Sequence, residues 1–142
     1  MFAAILVALA VSGGTADLAA AQTVVNDVNA HRSAAHEAPL AVDPQLTAVA
    51  MDRAADLIRR HYFAHVSPDG TTVLDALRIR SYAYTYAGEN LAEAQTAAEA
   101  EGALWNSPEH RDNMLEHHYG RIGVAVLRMP DAGNLIVQVF SN

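Results

Sequence analysis

The 142-residue sequence has no cysteine, and its nine basic residues are all arginine, so it has no lysine either. Without cysteine, neither a disulfide staple nor a thiolate metal site can form. The formal net charge is −7, and no basic cluster is longer than Arg59-Arg60. A nucleic-acid groove needs concentrated positive charge, so that class of partner is disfavoured. Lysine-free, alanine-rich usage points to a high-GC, bacterial coding bias. Long hydrophobic runs are also missing. The longest, Phe2 to Val11, is about half of the ~20 residues a bilayer-spanning helix requires.

That run has the length of a secretory h-region, and Ala19 and Ala21 supply the small pair of an A-x-A cleavage site. The pattern predicts a signal peptide over residues 1–21, although no Lys or Arg precedes the apolar run. The mature chain, 22–142, then has no transmembrane segment and is secreted or periplasmic. With 51% hydrophobic and 18% charged residues, what remains is enough for one core and one domain.

Along that domain, Val24, Val28 and Ala35 share a stripe that predicts a helix over Thr23 to His36. Asp43-Pro44 is a start signal, with Asp capping free N–H groups and Pro occupying a position where none is needed. Leu46, Ala50, Ala54, Leu57 and Ile58 then step by threes and fours, predicting an amphipathic helix to about Tyr62. After the turn S-P-D-G, Thr71 or Thr72 opens a short helix. Tyr82, Tyr84 and Tyr86 alternate, predicting an extended segment with cross-strand packing that ends near Gly88-Glu89-Asn90. Thr96 to Glu99 matches a capping box, and Ser107-Pro108 ends one helix and starts the next. Ile122 to Met129 and Leu135 to Phe140 are apolar on both faces and predict a hairpin in a sheet covered on both sides. The resulting fold class is α+β, a three-layer α-β-α sandwich with a central antiparallel sheet.

Three segments offer polar groups suited to chemistry: His65 in F-A-H-V-S-P-D-G, Glu89 in A-G-E-N-L, and His110 in S-P-E-H-R-D-N-M-L. Spacing alone does not show that they meet, and none is a local metal motif such as H-E-x-x-H. Taken alone, His65 reads as a hydrogen-bonded, half-buried histidine. His110 falls in the first turn of a helix, where a protonated ring opposes the helix dipole. Asn90 and Asn113 suit hydrogen bonds to loop backbone. His117-His118 looks like a metal pair, but at a helix C-terminus its positive charge also suits the dipole.

Those three segments in that order, followed by I-G-V-A-V, resemble the secreted CAP superfamily in its bacterial SCP-domain form, over about residues 22–142. The family includes cysteine-rich secretory proteins, insect-venom allergens and class-one plant pathogenesis-related proteins. The resemblance implies an α-β-α sandwich with His65, Glu89 and His110 lining one open cleft, Asn90 beside them. It implies a weakly held divalent cation such as zinc on His65 and His110. Animal and plant relatives add a second Glu three places after the helix tryptophan. The equivalent place here is Ser107, so one acid is missing, with Glu101 and Glu109 as the nearby substitutes. The tryptophan usually stands where Leu104 does, one place before Trp105.

The expected function is recognition of an extracellular small molecule, lipid or cell-envelope component by the His65, Glu89, His110 cleft. The alternative is a peptidase-like hydrolase, metal-assisted or using a general base in the same cleft. No nucleophile motif such as G-x-S-x-G is present, and with the missing acid this favours binding over catalysis.

Overall fold

The computed structural model describes residues 10–11 and 13–142; residues 1–9 and 12 of the predicted leader lie outside these. After strand β1 (Ala10–Val11), strand β2 (Gly14–Ala16) leads into helix α1 (Leu18–Ala34), which starts earlier than its stripe predicts. Its N-cap is Asp17, whose carboxylate accepts from the Ala20 N–H at 2.9 Å and pairs with Arg128 at 2.6 Å. The predicted cleavage junction, Ala21 to Gln22, therefore lies within a capped helix.

The other helices follow their start signals. Helix α2 (Pro44–Arg59) is capped by Asp43, which accepts from the N–H groups of Gln45 and Leu46. Helix α3 (Val73–Ile79) carries a Thr72–Asp75 capping box, and α4 (Ala97–Asn106) a Thr96–Glu99 box. Ser107 both ends α4 and begins α5 (Pro108–Leu115).

The long strands are β4 (Ala87–Ala94), β5 (Arg121–Met129) and β6 (Gly133–Ser141); β3 (Ala41–Val42) is a short parallel partner of β5. The sheet order is β1-β2-β5-β6-β4, antiparallel along this path, with β4 at one edge. Period-two alternation divides the long strands between two cores. Ile122, Val124, Val126, Ile136 and Phe140 pack with α1, α4 and α5. Ala125, Leu127, Leu135, Val137 and Val139 pack with α2 and α3. The fold is the expected three-layer α+β sandwich. Gly123 makes one layer possible: a Cβ there would collide with the backbone of Leu46 and Thr47, so its absence lets α2 lie directly on β5.

The alternating tyrosines do not form the predicted strand. Ser81 has φ 54°, which turns the chain, and Tyr82 is buried with its hydroxyl 3.1 Å from Asp43 and 3.0 Å from Ser141. The N–H groups of Thr85 and Tyr86 bond the Asn142 side chain instead of a strand ladder. Pairing begins only at Ala87, so Glu89 lies near the start of a strand and not at the end of one.

Candidate functional site

Glu89 and Asn90 are neighbours on β4 and so face opposite layers. Glu89 faces α2, where Arg53 grips it with two bonds, Nε to Oε2 at 2.7 Å and Nη2 to Oε1 at 3.1 Å. Both side chains are buried, Arg53 to 6% and Glu89 to 2% exposure. The guanidinium also donates to the hydroxyls of Tyr62 and Ser67 and to the carbonyls of Ala64 and His65. One arginine thus closes the loop after α2 around the carboxylate. Burial works against the Arg53 charge, but the Glu89 bonds outweigh it and raise its pKa.

His65 projects from that loop, with its side chain 56% exposed and Nδ1 2.9 Å from Glu89 Oε1. A carboxylate only accepts, so Nδ1 carries a proton, and in the neutral ring Nε2 is left as the acceptor or metal ligand. The hydrogen bond that His65 donates to Glu89 raises the His65 pKa against the opposing effect of partial burial.

His110 is held differently. Its Nδ1 lies 2.8 Å from Ser107 Oγ. Its carbonyl accepts from Asn90 Nδ2 at 3.0 Å. Asn90 is fully buried and also donates to Gln138 Oε1, while Asn113 Nδ2 donates to Asn90 Oδ1 and to the Glu89 carbonyl. Gly88 leaves room for this junction, since a Cβ there would press on the Tyr119 hydroxyl and Asn113. Asn90 and Asn113 therefore tie α5 to β4. His65 and Glu89 are brought together, whereas the His110 ring bonds Ser107.

Neither proposed substitute acid joins Glu89. Glu101 is buried on the α1 side of the sheet, accepting from Gln138 Nε2 at 2.7 Å. Glu109 is exposed in the first turn of α5. Leu104 is buried, and Trp105 stacks on His31 at 3.6 Å.

A second group lies just beyond α5. Among the described residues, the His, Asp and Glu set of three whose donor atoms fall within 4.8 Å of one another is Glu116, His117 and His118. Glu116 Oε1 is 3.2 Å from His117 Nδ1 and 2.6 Å from His118 Nδ1, and Tyr86 stacks on His118. Two imidazoles and a carboxylate form a donor set suited to a divalent cation such as zinc. Its solvent exposure makes it a weak site. Buried Arg32 supports it from below, donating to the carbonyls of Met114, Glu116 and Tyr119. The sequence shows this pair, but not the arginine that anchors it. Arg53 was missed entirely, because a lone arginine on a helix face carries no motif.

Residues 25–140 match the family described as "Cysteine-rich secretory protein family", abbreviated CAP. Over 118 residues the chain is 32% identical to "Uncharacterized protein YkwD" of Bacillus subtilis (strain 168), covering 82% of this chain and 45% of that one. Its fold matches an extracellular protein containing a SCP domain from Bacillus anthracis str. Ames, with TM-score 0.77 and 29% identity, over 89% of this chain and 41% of that one. It also matches an outer surface protein from Borrelia burgdorferi, with TM-score 0.83 over 91% of this chain and 98% of that one; at 21% identity this is a likeness of fold. The chain thus spans under half the length of the two Bacillus proteins. No helix among the described residues is long and apolar enough to cross a membrane.

Two titrations test the electrostatics. The raised pKa of His65 means that the stability from its protonated pair with Glu89 is present below about 6.5 and lost as pH rises through the folded value. Histidine NMR titration should place His65 above its ordinary value, and Glu89→Gln should lower it; an unchanged titration contradicts the pairing.

Glu101 is pushed up to about 7, by burial first and by the Asp27 charge second, against the opposing Gln138 bond. Between its ordinary 4.5 and about 7 the folded state binds more protons than the unfolded chain, so stability falls as pH rises through that window. The loss is on the order of 3 kcal/mol. In urea unfolding, Glu101→Gln should match the parent near pH 4.5 and exceed its stability at pH 8. A difference independent of pH would contradict the shift.

Proposed function

The chain belongs to the cysteine-rich secretory protein (CAP) family, and we propose from that footing that it is an exported binding protein. Its His65, Glu89 edge takes an extracellular small molecule, lipid or cell-envelope component, with His110 and Asn90 on the adjoining α5 side. One observation carries this reading: the Glu89 carboxylate is already neutralised by a two-bond grip from buried Arg53. A carboxylate held that way has both oxygens engaged, Oε2 by Arg53 and Oε1 by Arg53 and His65, which leaves neither free to take a proton from a bound water. Its remaining task is to fix the ring of His65, which is 56% exposed and keeps Nε2 for a ligand. The Glu116, His117, His118 cluster is the better-formed place for a weakly held zinc or similar cation.

Export is supported by the apolar run and the Ala19, Ala21 pair, and by the extracellular description of the Bacillus anthracis relative. N-terminal sequencing of protein recovered from outside the cytoplasm should begin at Gln22; an intact Met1 there defeats the leader. A cut at that bond also removes Asp17, the cap of α1, and its pair with Arg128.

For the binding reading, purified protein is sedimented with isolated cell envelopes and, separately, incubated with a peptide library. Expected are saturable co-sedimentation, a loss of at least about tenfold in His65→Ala, and no peptide turnover. Equal sedimentation of the variant removes the cleft from binding. Peptide turnover that Glu89→Gln abolishes replaces binding with hydrolysis.

A further inference from the structure

Just after α5, one carboxylate oxygen meets two imidazoles: Glu116 Oε1 lies 3.2 Å from His117 Nδ1 and 2.6 Å from His118 Nδ1. The rings are held from the side. Tyr86 stacks on His118 with centroids 3.9 Å apart, and His117 leans on His118 at 3.8 Å. Donors on a tetrahedral ion with bonds of about 2 Å stand about 3.3 Å apart, so the set closes on a cation with little movement. Among the described residues, no fourth His, Asp or Glu joins it. Three protein donors leave one position of a four-coordinate ion to an outside ligand.

The surrounding charge decides which kind of ligand suits that position. Glu116 is the only acid of the set, so a divalent ion held there leaves the site positive. Beneath it, Arg32 is fully buried and donates to the carbonyls of Ala38, Met114, Glu116 and Tyr119, with no carboxylate among its partners in the described residues. The acids that act on its charge are Glu37 and Glu116. Once Glu116 is committed to an ion, Arg32 keeps only part of that compensation, and two positive centres share one loop. The rest of the surface offers anions little, because the chain as a whole carries −7. An oxyanion supplies both the fourth donor atom and the missing negative charge, whereas a neutral ligand supplies only the first.

We propose that the Glu116, His117, His118 cluster, loaded with a divalent cation, captures an oxyanion, phosphate or carboxylate, as its fourth ligand. This rests on the reading that the cluster holds such a cation, and it uses no group of the His65, Glu89 edge. It gives an acidic protein a metal-dependent hold on acidic groups that its own charge otherwise repels.

The probe is cobalt(II), whose visible absorption reports its coordination and the exchange of an outside ligand, titrated into the chelator-treated full chain. Acetate and inorganic phosphate are then added separately to the loaded protein, with glycerol as the neutral control. Cobalt should fill a single site. At least one anion should change the spectrum saturably, with a Kd on the order of millimolar for so small a ligand, and glycerol should not. A His117→Ala, His118→Ala double variant should lose the cobalt spectrum and the anion response together; both residues are exposed, so folding is not at stake. Acetate acting alone marks a carboxylate ligand, phosphate alone a phosphate ligand, and a response to both a site for either. A cobalt spectrum indifferent to both anions, or equally changed by glycerol, overturns the proposal and leaves the cation site standing. Absence of cobalt binding, or binding unchanged in the double variant, removes the cation site as well.

Discussion

The buried guanidinium of Arg53 is the constraint on which the candidate site depends. It joins α2, strand β4 and the loop from Tyr62 to Ser67 through bonds to Glu89, Tyr62, Ser67 and two loop carbonyls. A charge removed from water costs several kcal/mol unless it is paired and its donors are satisfied, and here both conditions hold. Its partner is then fixed as well. Glu89 cannot turn toward another group without stranding the arginine, so His65 meets a carboxylate of defined position. The geometry requires α2 to lie close to the sheet, which Gly123 permits by carrying no side chain beneath Leu46 and Thr47.

The opposite layer is joined to the same strand by neutral groups. Half-buried Asn113 and the buried Asn90 and Gln138 form an amide chain that runs from the carbonyls of Glu89 and His110 to the carboxyl group of Glu101. Amides offer both donors and acceptors, so such a chain can be satisfied in a dry interior without a net charge. The two sides of β4 therefore follow different electrostatic rules. An ion pair faces α2, and dipoles face α4 and α5.

Much of this was legible in the sequence where the signal is local. Asp43-Pro44, Thr96 with Glu99 and Ser107-Pro108 each state a helix start in a few residues, and the structure has helices at all three. The two-sided hairpin was equally clear, because its apolar runs leave no solvent face. The tyrosine segment misled because alternation measures only side-chain spacing. What decides pairing there is Asn142, at the far end of the chain, which takes the N–H groups of Thr85 and Tyr86. His65 and Glu89 stood out through their motifs. Arg53 and Gln138 did not, since each becomes meaningful only when residues 36 or more positions away arrive beside it.

The pairing of Glu89 with Val139 and Asn90 with Gln138 has a consequence for how strand β4 finds its place on β6. A shift by one residue would turn every side chain of the strand over. Asn90 would then meet the guanidinium and leave its positive charge uncompensated, while Glu89 would thrust a second acid toward Glu101. Greasy strands can slide with little penalty, but this one is keyed like a two-pronged plug. The same adjacent pair that anchors Arg53 on one side and α5 on the other also proofreads the strand's own assembly.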